Sequence, residues 1–296
     1  MLKNGFFIES FKQIRAADKT TILYLIIISF LILFNYDKVE YAGFWLIAHL
    51  IIIIWLWLTP IIDKGIFNKR YVFWNPIVII FFSFSELHYL VHTIHPVDFD
   101  AMLIQIDFST FGLHPTVWLE KITFPALTEY LQLIYTTFYF LPIILIILLL
   151  RQKQDAKADF IIFSVVYAFY LSYAGYFTIP AIGPRFTLDH LQTFQLQGLC
   201  LTPGIRLTLD TLENVQRDAF PSGHTAITVM TMFYAYKYNK KYFYILIVIG
   251  LSLIFSTVYL RYHYVVDVIA GFVLAGFSLF TAEFVYKLLN RGNAQN

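Results

Sequence analysis

The chain has 296 residues, of which 59% are hydrophobic, 19% aromatic and only 14% charged. An ordinary soluble globule carries about a quarter charged residues, so the composition excludes one and fits a polytopic membrane protein. The formal net charge of +2 is scattered between apolar runs and forms no basic patch for a nucleic-acid partner, and the single cysteine, Cys200, excludes an internal disulfide or a cysteine-rich metal site.

Lys3, Lys12, Arg15 and Lys19 precede a first apolar run over 21–34. Asn35-Tyr36-Asp37-Lys38 follows in place of a small-residue cleavage site, so the run reads as a retained span. A second run over 41–62 carries Trp45, Trp55 and Trp57 and is long enough to cross a bilayer, which takes about 20 residues. Beyond a loop with Asp63, Lys64, Lys69 and Arg70, a third run over 72–94 gathers Ser83, Ser85, Glu86, His88 and His92 towards its far end. An ionisable group inside a bilayer costs about 3 kcal/mol, so Glu86 is expected to face protein or water. His88 and His92 share a helical face with His95 close behind, a pattern open to a metal site. With no further ligand pair nearby, they read instead as interfacial or headgroup-facing residues.

From 98 to 121 the pattern changes. Phe99, Met102, Leu103 and Ile106 recur at helical spacing with Asp98, Asp100, Gln105 and Asp107 opposite, which predicts a helix lying on the membrane surface. Spans over 126–150 and 160–179 follow, with Arg151, Lys153 and Lys157 between them. The loop over 180–220 shows no periodic structure and holds His190, Arg206, Asp210, Arg217 and Asp218. A loop of that length is usually functional or disordered, and this one is expected to cover the site, with Arg206 and Arg217 either clamping phosphate or meeting anionic lipid headgroups. Three more spans are expected over 222–236, 242–259 and 264–287.

With eight spans, the N-terminus, 63–70, 151–157, 237–241 and 287–291 fall on one side and carry most of the lysines and arginines. That side is expected to be cytoplasmic, with both termini on it. The fold expected is an all-α polytopic bundle with an interfacial helix and a long extracytoplasmic loop, divided into two N-terminal transmembrane helices, 1–71, and a six-helix core, 72–296.

Three polar segments then emerge together on the opposite face. Pro180-Ala181-Ile182-Gly183-Pro184-Arg185 offers a guanidinium suited to bidentate contact with phosphate. Phe220-Pro221-Ser222-Gly223-His224 places an N-cap serine, a glycine and a histidine at a helix start, a phosphate site with a proton donor beside it. In the stretch from Tyr259 to Asp267, His263 and Asp267 stand four apart on one helical face. The carboxylate can hold one ring nitrogen and leave the other free to attack. Two helix starts, with Arg185 and Arg261, can therefore surround one phosphoryl group.

The three segments resemble the signature of the type 2 phosphatidic acid phosphatase and vanadium haloperoxidase superfamily, K-x6-R-P, P-S-G-H and S-R-x5-H-x3-D. The second motif is complete at Pro221, Ser222, Gly223 and His224. The third matches at Ser256, His263 and Asp267, with Thr257 where the arginine belongs and Arg261 two residues before the histidine. The first is reduced to Gly183-Pro184-Arg185 without the lysine. These departures are similar to the branch that includes inositol phosphorylceramide synthases. The resemblance implies that His263 attacks phosphorus to form a phosphohistidine, Asp267 holds His263, and His224 serves as general acid and then base. It further implies that Ser222, Gly223, Arg185 and Arg261 bind phosphate, although Arg261 is also placed to snorkel to lipid phosphates. The substrate expected is a lipid phosphate or phosphoinositide, the acceptor is water or a lipid alcohol, and no metal or cofactor is required. A transporter or channel is the alternative. Glu86 and the histidines of the third span favour it, while the gathering of charge at one face instead of the midplane speaks against it.

Overall fold

The computed structural model describes residues 13–62, 74–212 and 216–291, and these contain helices and no strand. Lys3, Lys12, the loop over 63–70 and the expected division at 71–72 lie outside the described residues. In chain order the helices are α1 (Ala16–Phe34), α2 (Ala42–Ile62), α3 (Asn75–Ile94), α4 (Asp100–Phe111) and α5 (Pro115–Trp118), which a 3-10 turn at Leu119–Ile122 extends. Next come α6 (Pro125–Thr136) and α7 (Phe140–Arg151), joined through a 3-10 turn into one span, then α8 (Asp155–Thr178), α9 (Pro184–Thr187) and α10 (Thr202–Leu212). The chain ends in α11 (Gly223–Tyr238), α12 (Lys240–Tyr259) and α13 (Val265–Asn290).

Seven segments are long and apolar enough to cross a membrane: α1, α2, α3, α6 with α7, α8, α12 and α13. The eighth expected span, α11, has only 16 residues, about 24 Å of helix, against the ~30 Å of a bilayer core. Its ends explain its length. Ser222 caps its start, and Asn239 stops it by capping α12, accepting from the amide of Tyr242 at 3.1 Å. Even so, α11 lies within the bundle, packed on α12, α13 and α8 through Ala226, Ile227, Met230, Tyr234 and Ala235. One apolar core runs through α1 to α3, α7, α8 and α11 to α13.

Short connections make successive spans antiparallel, which sorts the loops to two ends. At one end Lys19 Nζ donates to the carbonyl of Leu289 at 2.7 Å, Arg15 lies 4.0 Å from Asp159, and Lys157 sits 5.0 Å from the centre of the Tyr238 ring. The segments around Arg185, His224 and His263 meet at the other end.

Glu86 is fully buried and faces protein. Its Oε2 lies 2.6 Å from His49 Nε2, Tyr24 Oη donates to Oε1 at 3.3 Å, and Ser29 Oγ stands 2.8 Å from His49 Nδ1. The network ties α1, α2 and α3 together. Breaking a buried pair from one side leaves an uncompensated charge, so His49→Ala is expected to cost about 3–5 kcal/mol, read as a lowered melting temperature in detergent. His88 and His92 are exposed on the outside of α3.

The 180–220 segment corrects an expectation, since it is not structureless. It contains α9, a 3-10 turn at Asp189–Leu191 and the eleven-residue α10. The carboxylate of Glu129, on α6, caps α10 from outside, accepting from the amides of Leu199, Leu201 and Thr202 at 3.0, 2.6 and 3.1 Å and from Thr202 Oγ1 at 2.6 Å. Ile205 and Leu209 seat α10 against the apolar cluster formed with Leu131, Tyr135 and Ile254.

Candidate active site

The interfacial helix builds the site. An interfacial helix ordinarily turns its acids to water, whereas α4 turns Asp100, Leu103 and Asp107, which share one face, into the protein. Asp100 accepts from the amides of Ile182 and Gly183 at 2.9 and 2.8 Å and from Tyr264 Oη at 2.8 Å. Asp107 accepts from the amides of Val265 and Val266 at 2.8 and 2.9 Å, at the start of α13, where the helix dipole favours a carboxylate. Just ahead of the helix, Asp98 forks with Arg217 at 2.7 and 3.0 Å. Sequence reasoning missed these three roles.

Glycines let the segments close on each other. Gly183 has φ +98°, and a Cβ there would meet the Tyr262 carbonyl at 2.6 Å, so only glycine lays this loop on the one before α13. A Cβ at Gly271 would come within 2.6 Å of the Ser222 carbonyl, where α13 passes the start of α11.

Ser222 is buried and caps α11, its Oγ accepting from the amide and hydroxyl of Thr225 at 3.2 and 3.1 Å. Its amide donates to the Asp267 carbonyl at 3.1 Å, which fixes the start of α11 beside the start of α13. Gly223 and His224 are the first two residues of the helix.

His263 Nδ1 lies 2.8 Å from the Ala219 carbonyl and 3.4 Å from Asp267 Oδ2. A carbonyl only accepts, so Nδ1 carries the proton and Nε2 keeps its lone pair. Asp267 was expected to hold this ring; the structure adds a backbone carbonyl as the nearer acceptor. Asp267 Oδ2 also accepts from the amide of Tyr264 at 2.8 Å. The His224 ring centre is 5.8 Å from that of His263, and the ring stacks on Tyr135 at 4.6 Å and leans on Phe138 at 4.2 Å. Its Nε2 is buried without a partner among the described residues.

The arginines divide. Arg185 lines a polar cavity of about 570 Å³ with Gln192, Thr193, Gln195 and Arg206, its guanidinium carbon 5.8 Å from the centre of the Tyr262 ring. Arg261 lines the same cavity, yet its fork is committed. Nη2 donates to Glu120 at 2.7 Å, and Nη1 to Gln192 at 2.6 Å and the Phe194 carbonyl at 2.9 Å. Arg261 is buried, so it is not the lipid-snorkelling residue expected, and both its Nη atoms tie the loop. Arg217 is paired with Asp98 and Arg206 donates to the Leu196 carbonyl at 2.7 Å, so both also hold the loop.

On the other side of His224 a narrow apolar slot opens between α3, α7, α8 and α11, with Phe81, Ile143 and Tyr176 in its walls and Asp218 at its polar end. Burial pushes the Asp218 carboxyl up to about 6, against the opposing pull of nearby His263. The arrangement puts a lone-pair nitrogen, a second imidazole and a guanidinium around two helix starts, which is equipment for transferring an anionic group.

A family model described as the PAP2 superfamily matches residues 102–281. A PA-phosphatase related-family protein of Dictyostelium discoideum is 27% identical over 203 residues, covering 62% of this chain. The alignment spans only 36% of that relative's length. No solved structure matches the chain.

Proposed function

The chain belongs to the PAP2 superfamily, and from that premise we propose that it is an integral membrane lipid phosphatase or phosphotransferase working through a phosphohistidine at His263. The observation that carries this reading is the His263 ring, whose Nδ1 is held 2.8 Å from the Ala219 carbonyl while its centre stands 5.8 Å from that of His224. Nε2 of His263 attacks phosphorus as the bond to the leaving oxygen breaks, and His224 gives that oxygen its proton. His224 then takes a proton from the acceptor, whose oxygen attacks phosphorus and releases His263. Asp267 and the Ala219 carbonyl hold the ring as it gains charge. The start of α11, at Ser222 and Gly223, and Arg185 offset charge on the phosphoryl oxygens. The scheme uses no metal or cofactor.

The site is placed on the extracytoplasmic face and both termini in the cytoplasm, a reading supported by the basic groups at the opposite end of the bundle. The division into two N-terminal helices, 1–71, and a six-helix core, 72–296, remains a proposal, since the family match begins at residue 102, beyond the third span. A phosphotransferase of the inositol phosphorylceramide synthase type is the finer reading. It is supported by the size of the polar cavity, about 570 Å³ and lined by glutamines and Thr193, which has room for a hydroxyl-rich headgroup beyond the phosphate.

Purified protein would be incubated, with chelator, with lipid phosphates and phosphoinositides, each with and without ceramide or diacylglycerol. Free phosphate independent of acceptor establishes a phosphatase; a new phosphodiester lipid requiring acceptor establishes a transferase. Absence of both, with solute transport surviving His263→Ala, returns the transporter reading. A further expectation concerns pH. Asp218 is a carboxylate only above about 6, and its charge favours the cationic ring of His263, so kcat/KM falls as pH drops through that value. Asp218→Asn is expected to lower the neutral plateau about tenfold and to displace the acid limb of the pH–rate profile.

A further inference from the structure

α4 has two unlike faces. Its inner face carries Asp100 and Asp107, which with Asp98 hold the first and third motif segments and the stretch leading into the second. Asp100 holds the amides of residues 182 and 183, Asp98 holds Arg217, and Asp107 holds the amides of residues 265 and 266. None of the three aspartates touches either catalytic histidine, so they are positioning residues. On the outer face Met102 and Ile106 are 41% and 39% exposed, and exposed Phe108, Phe111, Trp118, Ile122 and Phe124 extend the apolar surface through α5 to the start of α6. The helix is flanked by spans on both sides in sequence, α3 before it and α6 after. Apolar side chains exposed along a stretch between two spans have a lipid surface as their occupant.

We propose that α4 couples the bilayer to the catalytic pocket. Its seating in the lipid surface sets the relative placement of loops 182–185, 217–219 and 263–266 through its three aspartates, so the site is fully assembled only on a membrane. The inference rests on the functional reading above for its kinetic test, though not for its structural one.

In the kinetic test the full chain is assayed in phosphatidylcholine vesicles and in detergent micelles with one short-chain, water-soluble phosphatidate, so that substrate delivery is the same. Wild-type kcat is expected to be roughly tenfold higher in vesicles, with KM little changed. The double variant Met102→Gln/Ile106→Gln is expected to fall to the micelle value in vesicles while its melting temperature holds. Asp107→Asn, which turns an amide donor towards backbone N–H groups, is expected to lose roughly tenfold or more in kcat in both media, with Asp107→Glu recovering part of it. In the structural test, hydrogen exchange of 181–187 and 262–268 in vesicles is expected to be slower in wild type than in the double variant. Equal exchange overturns the coupling whether or not the protein turns over lipid. Wild-type kcat retained by the double variant in vesicles also overturns it. A wild-type protein inactive on every phosphate ester, with the exchange difference intact, overturns the functional reading and leaves the coupling standing.

Discussion

His263→Ala is expected to lower kcat/KM by at least about 10⁴-fold and to leave no covalent intermediate. The size follows from the absence of a substitute. His224, the other imidazole, stands with its ring centre 5.8 Å away and is held between Tyr135 and Phe138, facing the leaving group in the proposed scheme. The substitution also removes the hydrogen bond to the Ala219 carbonyl, so activity must be read beside a melting curve. His263→Gln, whose side-chain amide can donate to that carbonyl, keeps the anchor and should be as inactive as His263→Ala. Activity within tenfold of wild type in a folded His263→Gln protein would remove His263 from the chemistry.

His224→Ala is expected to cost about 10²–10⁴ in kcat, the usual span for one general acid and base. The loss should be uneven. Forming the phosphohistidine needs a proton on the leaving oxygen, so an ester with an acidic leaving group, such as a nitrophenol, should recover most of that half-reaction. Breakdown needs a base for water or the acceptor alcohol, and no leaving group supplies it. The variant is therefore expected to show a burst of phenol equal to one per enzyme, followed by slow turnover. The ring's packing on Tyr135 and Phe138 is lost as well, so activity must be read beside a melting curve. A steady slow rate without a burst would mean that His224 does not act in the second step.

The local geometry of the candidate site was legible where it sits in a few consecutive residues. Ser222, Gly223 and His224 open α11, and His263 and Asp267 meet across one turn, because capping and helical spacing are local rules. What escaped the sequence is held by partners far along the chain. Asp100 binds amides 82 and 83 residues away, Asp107 binds amides 158 and 159 residues away, and Arg261 spends its fork on Glu120, 141 residues back. A surface carboxylate and a carboxylate that accepts backbone amides look alike until the helix is placed. The same holds for α10, whose cap is Glu129, 73 residues before Thr202. The spans were legible from their apolar runs, α11 included, whose ends Ser222 and Asn239 fix through their caps.

The most direct measurement is covalent trapping. A nitrophenyl phosphate ester labelled at phosphorus would be mixed with His224→Gln protein, quenched in alkali after the burst, digested and read by mass spectrometry. The account predicts an alkali-stable, acid-labile phosphoryl group on the peptide carrying His263, absent from the double variant with His263→Ala. Label on a different residue, or turnover of the burst substrate with no label on the protein, would contradict it.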